Sequence, residues 1–405
     1  MIRWPWQKKD KTLNSAADLA RELLAGASAK SGVAVNWRTA LQASTALACA
    51  RVIGEGLAQV PLKLHKARAG GGSDVAYGHP MHTLVHSAPG SDVTSYEWRE
   101  TMGMHLVFAG NDYAIKVRDP RGQVLELLPI EPGAVTPRRN ADRTMRYELR
   151  LSDGSTRTIA SDDMLHLRGP SWDGWQGLDG VKLAREAIGL GLAAEEHNAR
   201  LFSNGARVGG VLSTEATLKE EQLKLLRESW QETQGGLSNA YKTAILFGGL
   251  KFQPMAMQND QAQMVELRAQ QVEEVCRHFR VLPIMVGHAD KAATYASAEQ
   301  MFLAHAVHTM GPWYTRIEQR LNMELLTPAE RAAGYFFRFT VAGLLRASHE
   351  ARANYYSKAL GSGGSPAWMA QDEVRDLEDL NPMGGPAASL PVATNVGGGA
   401  PAPGA

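Results

Sequence analysis

Two apolar-periodic runs of matched length constrain the fold of this chain more than any other feature of its sequence. Residues 181 to 204 are rich in Ala and Leu and end at Asn204-Gly205, a pair suited to a left-handed helix C-cap. A second helical run, from about Asp260 to Arg280, sets Met264, Leu267, Val272, Val275 and Phe279 along one face. At the helical rise per residue each run spans roughly 30 Å. Between them lies only a short module: a strand at 209–213, a helix at 218–234 and a strand from Thr243 to Phe247 continuing to Phe252. Two matched helices carrying a small α/β module at their far end make a stalk with a tip. The module's acids, Glu215, Glu220, Glu221, Glu228 and Glu232, balance its bases, Lys219, Lys224, Arg227, Lys242 and Lys251, as expected of a soluble contact surface.

The N-terminal half reads differently. Residues 12 to 26 and 37 to 59 have helical spacing, and Pro61 stops the second run. Leu62 to Lys66 alternates like an edge strand, followed by a Gly-rich turn at 69–73. Between Asn111 and Leu167 the pattern becomes short strands at 113–117, 124–128, 146–151 and 164–167, parted by turn signals. These predict one antiparallel sheet packed on the earlier helices, an α+β unit.

Beyond the second long run, Val281 to Gln300 is a loop of small, mostly uncharged residues. Ser297 to Leu326 reads as a third long helix, with Ser297 as N-cap and a kink at Pro312. A strand at 335–341 and helices at 344–360 and 366–380 follow. The last 25 residues include 17 Gly, Pro or Ala, which predicts a disordered tail.

Composition narrows the function. Hydrophobic residues at 44% and charged residues at 21% of 405 describe a globular chain with room for two or three domains. No apolar run approaches the roughly 18 residues of a membrane helix, and no apolar segment follows the basic start, so no secretory signal is expected. Forty-three basic against 42 acidic residues give +1, so contact with nucleic acid cannot rest on a large positive field. Cys49 and Cys276 lie in amphipathic helical runs, where small buried hydrophobes are expected. A disulfide is not expected, and two thiols cannot close a structural zinc site.

His79, His82 and His86 have the spacing of one helix face, yet Pro80 occupies the first turn and no carboxylate is in register, so a capped or solvated short helix is the expectation. His305 and His308 read as core or interface residues. Asp162 and Asp163 precede His166, but as solvated turn residues ahead of a strand. No phosphate-binding loop, zinc-protease helix or nucleophile elbow occurs. No catalytic, metal or cofactor site is therefore expected. The competing readings are a metal-dependent DNA-processing enzyme built around His79 and a ring scaffold without DNA contact.

The order of elements resembles the portal proteins of tailed bacteriophages, the head-tail connector family of long-tailed phages and prophages. The resemblance is carried by Ala48-Cys-Ala-Arg-Val-Ile-Gly-Glu-Gly-Leu-Ala-Gln-Val-Pro-Leu62, Gly110-Asn-Asp-Tyr-Ala-Ile115, Asp163-Met-Leu-His-Leu-Arg-Gly169, Asn204-Gly205 and Asp260-Gln-Ala-Gln-Met-Val-Glu-Leu-Arg268. The strongest run is Val275-Cys-Arg-His-Phe-Arg-Val-Leu-Pro-Ile-Met-Val-Gly287, followed by Tyr295-Ala-Ser-Ala-Glu299, Pro312 and Ile317-Glu318. Leu282-Pro-Ile284 and Gln371-Asp-Glu-Val-Arg375 depart from the family pattern.

The resemblance implies a portal-like subunit: N-terminal arm 1–34, α/β wing 35–180, stem helices 181–207 and 259–281, and a small α/β clip at 208–258. A tunnel loop at 282–298, a wing helix and strand at 299–344, a helical crown at 345–380 and a disordered tail at 381–405 complete it. It further implies a dodecameric ring at one capsid vertex of the virion, made in the host cytoplasm, through which double-stranded DNA is packaged and ejected without reading its sequence. The partners implied are further copies of the chain, the terminase large subunit, a head-tail adaptor, and capsid and scaffold proteins, with no membrane. Residues expected to contact DNA are His288, Lys291, Thr294 and Tyr295. Those expected to bind partners on the clip are Lys219, Glu220, Arg227, Trp230 and Lys242.

Overall fold

The computed structural model describes residues 28–203, 210–214, 219–234, 249–254, 261–288, 295–341, 349–361, 366–378 and 380–391. The helix expected at 12–26 lies outside them. The chain divides into two compact units, Met1–Thr294 with Val307–Phe339, and Tyr295–Ala306 with Thr340–Ala405.

In the first unit, α1 (Trp37–Gln42) and α2 (Ser44–Gln59) replace the single helix expected over 37–59. Asn36 starts α1 with a capping box: its side chain accepts from the Thr39 amide at 3.1 Å, and Thr39 Oγ1 accepts from the Asn36 amide at 2.8 Å. The break is at Ala43, whose ψ of 106° is extended, and neither Gly nor Pro announces it. There follow β1 (Leu62–Ala67), β2 (Ser73–Val75), α3 (Pro80–His86) and α4 (Ser95–Phe108).

Helices α2 and α4 pack together at the heart of the core, with Ala46, Ala50, Ile53 and Leu57 of α2 and Trp98, Met102 and Leu106 of α4 all buried. A Cβ on Gly103 would sit 2.6 Å from the Cα of Gly54, so the two glycines set how closely these helices cross. Removing a side chain such as Leu57, which is fully buried, costs about 2–5 kcal/mol in cores of this kind. Pro61 cannot extend α2, whose last carbonyls find other donors. Arg99 Nη2 donates to Ala58 O at 2.8 Å. Burial lowers the Arg99 guanidinium to about 10.

The strands β3 (Asn111–Arg118), β4 (Val124–Ile130), β5 (Val135–Arg139), β6 (Met145–Arg150), β7 (Thr156–Ala160) and β8 (Met164–Arg168) make two antiparallel sheets, not the one expected. Their orders are β4-β3-β8 and β5-β6-β7. The second sheet is illegible in sequence because its outer strands are polar: β5 carries Pro137, tolerated on an edge, and β7 buries only Ile159. Tyr113 and Met164 from one sheet meet Val135, Tyr147, Leu149 and Ile159 from the other in a shared core.

Next come α5 (Gly180–Leu183), α6 (Arg185–Ser203), β9 (Gly210–Ser213), α7 (Glu220–Gln234), β10 (Lys251–Pro254) and α8 (Gln261–Phe279). The long run expected from 181 is parted at Ala184, and the Asn204-Gly205 cap lies outside the described residues. Arg268 meets Glu195 at 3.5 Å, while His278 contacts Gly180 O at 3.1 Å, so α6 and α8 run antiparallel. The module between them closes with β9 paired to β10. The strand expected from Thr243 falls outside the described residues up to 248. It cannot run on to Phe252, because Gly249 turns with φ +74° before β10 begins.

The later elements are α9 (Tyr295–Ala304), a π-helical segment His305–Met310, α10 (Gly311–Glu324), α11 (Pro328–Ala332), β11 (Tyr335–Phe339), α12 (His349–Ala359) and α13 (Gln371–Leu377). Helix α9 starts at Tyr295, two residues before the expected N-cap Ser297. Strand β11 pairs with β1, giving the sheet order β11-β1-β2. The edge strand expected at 62–66 is therefore the centre of a sheet, because its second partner lies far along the chain.

In the second unit the tail expected to be disordered from 381 is bonded as far as it is described. The Asp372 carboxylate accepts the amides of Met383 at 2.7 Å and Gly384 at 2.8 Å, and Ala387 is buried. The Met383 and Gly384 amides lie outside any helix or strand, and one carboxylate on α13 suffices to hold both.

Candidate functional site

The loop that follows α8 is anchored by a left-handed helix end. Arg280 adopts φ +57°; its amide donates to Arg277 O at 3.2 Å, and the Val281 amide donates to Cys276 O at 3.0 Å. This pair of hydrogen bonds is the Schellman arrangement, normally built on glycine. A non-glycine residue in this conformation costs about 1–2 kcal/mol, and here its side chain has a use. Pro312 has no N–H to give to the carbonyl of His308 four residues earlier. Arg280 Nη2 supplies that bond at 3.1 Å, and Thr309 Oγ1 donates back to Arg280 O at 2.9 Å. The chain around Pro312 is not simply kinked as expected. It is wound as a π-helical turn over His305–Met310, whose freed carbonyl is capped from α8.

From this clasp the chain enters a 3-10 turn at Pro283–Val286, where Gly287 takes φ +80° and the His288 amide donates to Pro283 O at 3.0 Å. His288 is half-buried. Lys291 and Thr294 lie outside the described residues, and Tyr295 is the first residue of α9. On the module, Lys219 and Glu220 stand exposed at the start of α7, where Glu220 and Glu221 suit the positive end of the helix. Arg227 is exposed and Trp230 half-buried on the same helix. Lys242 lies outside the described residues.

The histidine-rich helix α3 works as a fastening. His79 is its N-cap: Nδ1 accepts from the Met81 amide at 3.2 Å, and Nε2 meets Glu330 at 3.0 Å. His86 Nδ1 faces Leu62 O at 3.3 Å. His82 is buried between Tyr77 and His86 with its Nε2 unpartnered by protein. Burial pushes His82 and His86 below the usual imidazole range. Among the described residues no three metal-ligating side chains converge. His305 is buried and His308 exposed.

His166 does not act with the acids before it, which are exposed in a 3-10 turn. Its Nε2 lies 3.0 Å from Asn111 Oδ1, which also accepts from the Gly177 amide at 2.8 Å. That oxygen can only accept, so Nε2 carries the proton and Nδ1 receives the Tyr147 hydroxyl at 3.2 Å. Burial, helped by Arg168 and Arg320, lowers this imidazole to about 2 and holds it neutral. Two further pairs escaped sequence reading. His105 Nδ1 lies 2.8 Å from the buried Asp112, seven residues on, across the turn from α4 into β3. Cys49 and Cys276 bring their sulfurs to 3.9 Å.

Glu318 and Asn322 of α10 accept the Phe339 and Phe337 amides, each at 2.7 Å, so one helix face closes the open side of β11. The Gly110 carbonyl accepts the Gly169 amide at 2.8 Å, and a Cβ on Gly177 would come within 1.8 Å of that same carbonyl. Gly110-Asn111, His166, Gly169 and Glu318 thus organise the fold around the stalk and loop.

A family model described as phage portal protein matches residues 44–379. The chain is 30% identical over 374 residues to a probable portal protein of Streptomyces phage phiC31, covering 88% of this chain and 79% of the relative. It is 28% identical over 355 residues to the portal protein of Enterobacteria phage HK97, covering 87% and 82%. Its fold matches a chain in the neck of a native gene transfer agent particle computed with C12 symmetry, with TM-score 0.56, 21% identity, and coverage of 85% and 92%. The fold is a mixed helix-and-strand chain with an antiparallel helical pair and a small module between them, a fold it shares with this solved structure. The chain belongs to the phage portal protein family, a component of the phage head-tail connector.

Proposed function

We propose that twelve copies of this chain form a ring at one vertex of the capsid, the conduit through which double-stranded DNA enters during packaging and leaves on ejection. The number follows the twelvefold symmetry named for the gene transfer agent neck. In this reading 35–180 and 299–344 are the wing, α6 and α8 lie in the stem, 208–258 is the clip and 345–380 the crown. Assembly takes place in the host cytoplasm with capsid and scaffold proteins. The clip, through Lys219, Glu220, Arg227, Trp230 and Lys242, receives the terminase large subunit and then the head-tail adaptor.

The observation that carries the proposal is the clasped exit from α8 in a chain of this family. A rigid anchor followed by small residues suits a loop that brushes moving DNA. Gly287, Ala289, Ala292 and Ala293 offer no base readout, and Lys291 beside Asp290 gives each copy one weak phosphate contact. A near-neutral chain at +1 permits sliding where a strongly basic one would bind.

The test is solution mass and negative-stain imaging of the chain purified after co-expression with its capsid and scaffold proteins. A ring of about a dozen subunits with a central hole is expected. In particles assembled with the terminase as well and loaded with DNA, Lys291→Ala should assemble normally but retain packaged DNA less well. Normal retention would overturn the role of Lys291. A metal-loaded monomer or dimer that cuts DNA would overturn the conduit itself.

A further inference from the structure

Cys49 and Cys276 are the only cysteines of the chain, 227 residues apart in sequence, and both are fully buried. One lies on α2, in the core of the first unit. The other is in the last turn of α8, where its own carbonyl takes part in the left-handed helix end. Their sulfurs stand 3.9 Å apart, each within reach of the other's S–H. A disulfide bond is about 2.05 Å long, so the sulfurs must approach by roughly 1.9 Å to join.

We infer that Cys49 and Cys276 form an oxidisable dithiol, closed to an intrachain disulfide by a peroxide. Both thiols are fully buried, so an oxidant reaches them only when the packing of α2 against α8 opens locally, and a small peroxide needs less opening than a bulky disulfide reagent. One thiol gives up its proton and its sulfur attacks a peroxide oxygen; the O–O bond breaks, a sulfenic acid forms, and the released hydroxide takes up that proton as water. The second thiol attacks that sulfur, the S–S bond forms, and the departing hydroxide leaves as water with the second thiol's proton. Two cysteines give up two electrons and one peroxide becomes two waters.

The reducing compartment in which chains are made keeps both thiols free, and the medium outside a cell oxidises them. The bond would then tie α2 to the root of the loop at the stage when a particle has left its host. The thiol chemistry stands on geometry alone; its timing rests on the portal reading.

The experiment uses the full wild-type chain, purified under reduction and then treated with hydrogen peroxide. Peptide mapping without reductant should give one linked pair containing Cys49 and Cys276, lighter than the two free peptides by two hydrogens and restored by dithiothreitol. The melting midpoint of the oxidised chain should rise by roughly 5 °C, because the bond closes a long loop. In Cys276→Ser the rise should vanish. Unlinked thiols, separate sulfinic acids, or a bridge between two chains would each overturn the inference. Ring formation is scored separately by imaging, so failure of the thiol chemistry leaves the portal reading standing, and the reverse.

Discussion

His166 is kept neutral by what surrounds it, and this makes the fold acid-sensitive. Its folded pKa lies far below the ordinary imidazole value, so below about pH 6.5 the unfolded chain takes a proton that the folded chain refuses. The stability it confers is complete above that pH and is lost, by about 1 kcal/mol per unit, as the pH falls towards the folded value. His82 contributes in the same direction, facing His86, Lys63 and His65 with Nε2 unpartnered. We predict that the chain melts lower at about pH 5 than at about pH 7.5, and that His82→Leu narrows the gap without loss at the higher pH. Thermal melts of both proteins at both pH values check this; equal gaps would remove His82 from the account. The sequence displayed His166 beside two acids, a suggestive neighbourhood. Tyr147 and Asn111, which determine its state, come from other strands, and nothing local names them.

At the scale of elements, periodicity made α6 and α8 legible, because a helix facing solvent on one side must repeat its apolar positions. Pro312 was also visible as a disturbance. The form of that disturbance was not, since the carbonyl it frees is served by Arg280, whose place at a left-handed helix end carries no signal without glycine. Arg280 therefore combines strain with a compensating bond, and two substitutions separate them. Arg280→Gly should relieve the strain while losing the clasp. Arg280→Ala should lose the clasp and keep the strain, leaving it less stable than the glycine variant by about 1 kcal/mol. Urea denaturation of the two variants measures the difference. Hydrogen exchange at 307–311 should quicken in both.

At the scale of the whole molecule, the proposed function assigns partner docking and ring formation to different surfaces. Lys219→Glu with Arg227→Glu changes only exposed charge on α7. It should leave ring formation intact while weakening retention of the terminase large subunit and the adaptor in a pull-down at moderate salt. The sheets show where sequence reading ends. Strand β1 alternates as an edge strand should, and no local feature reveals that Leu62 stands opposite Phe339 or Lys66 opposite Tyr335. That pairing also dictates when a newly made chain can finish folding. During synthesis β1 emerges long before β11 and must wait, with one flank open, until nearly the whole chain has left the ribosome. A truncated chain lacking Tyr335–Phe339 leaves one flank of β1 unpaired, an open strand edge of the kind that pairs with other chains and aggregates.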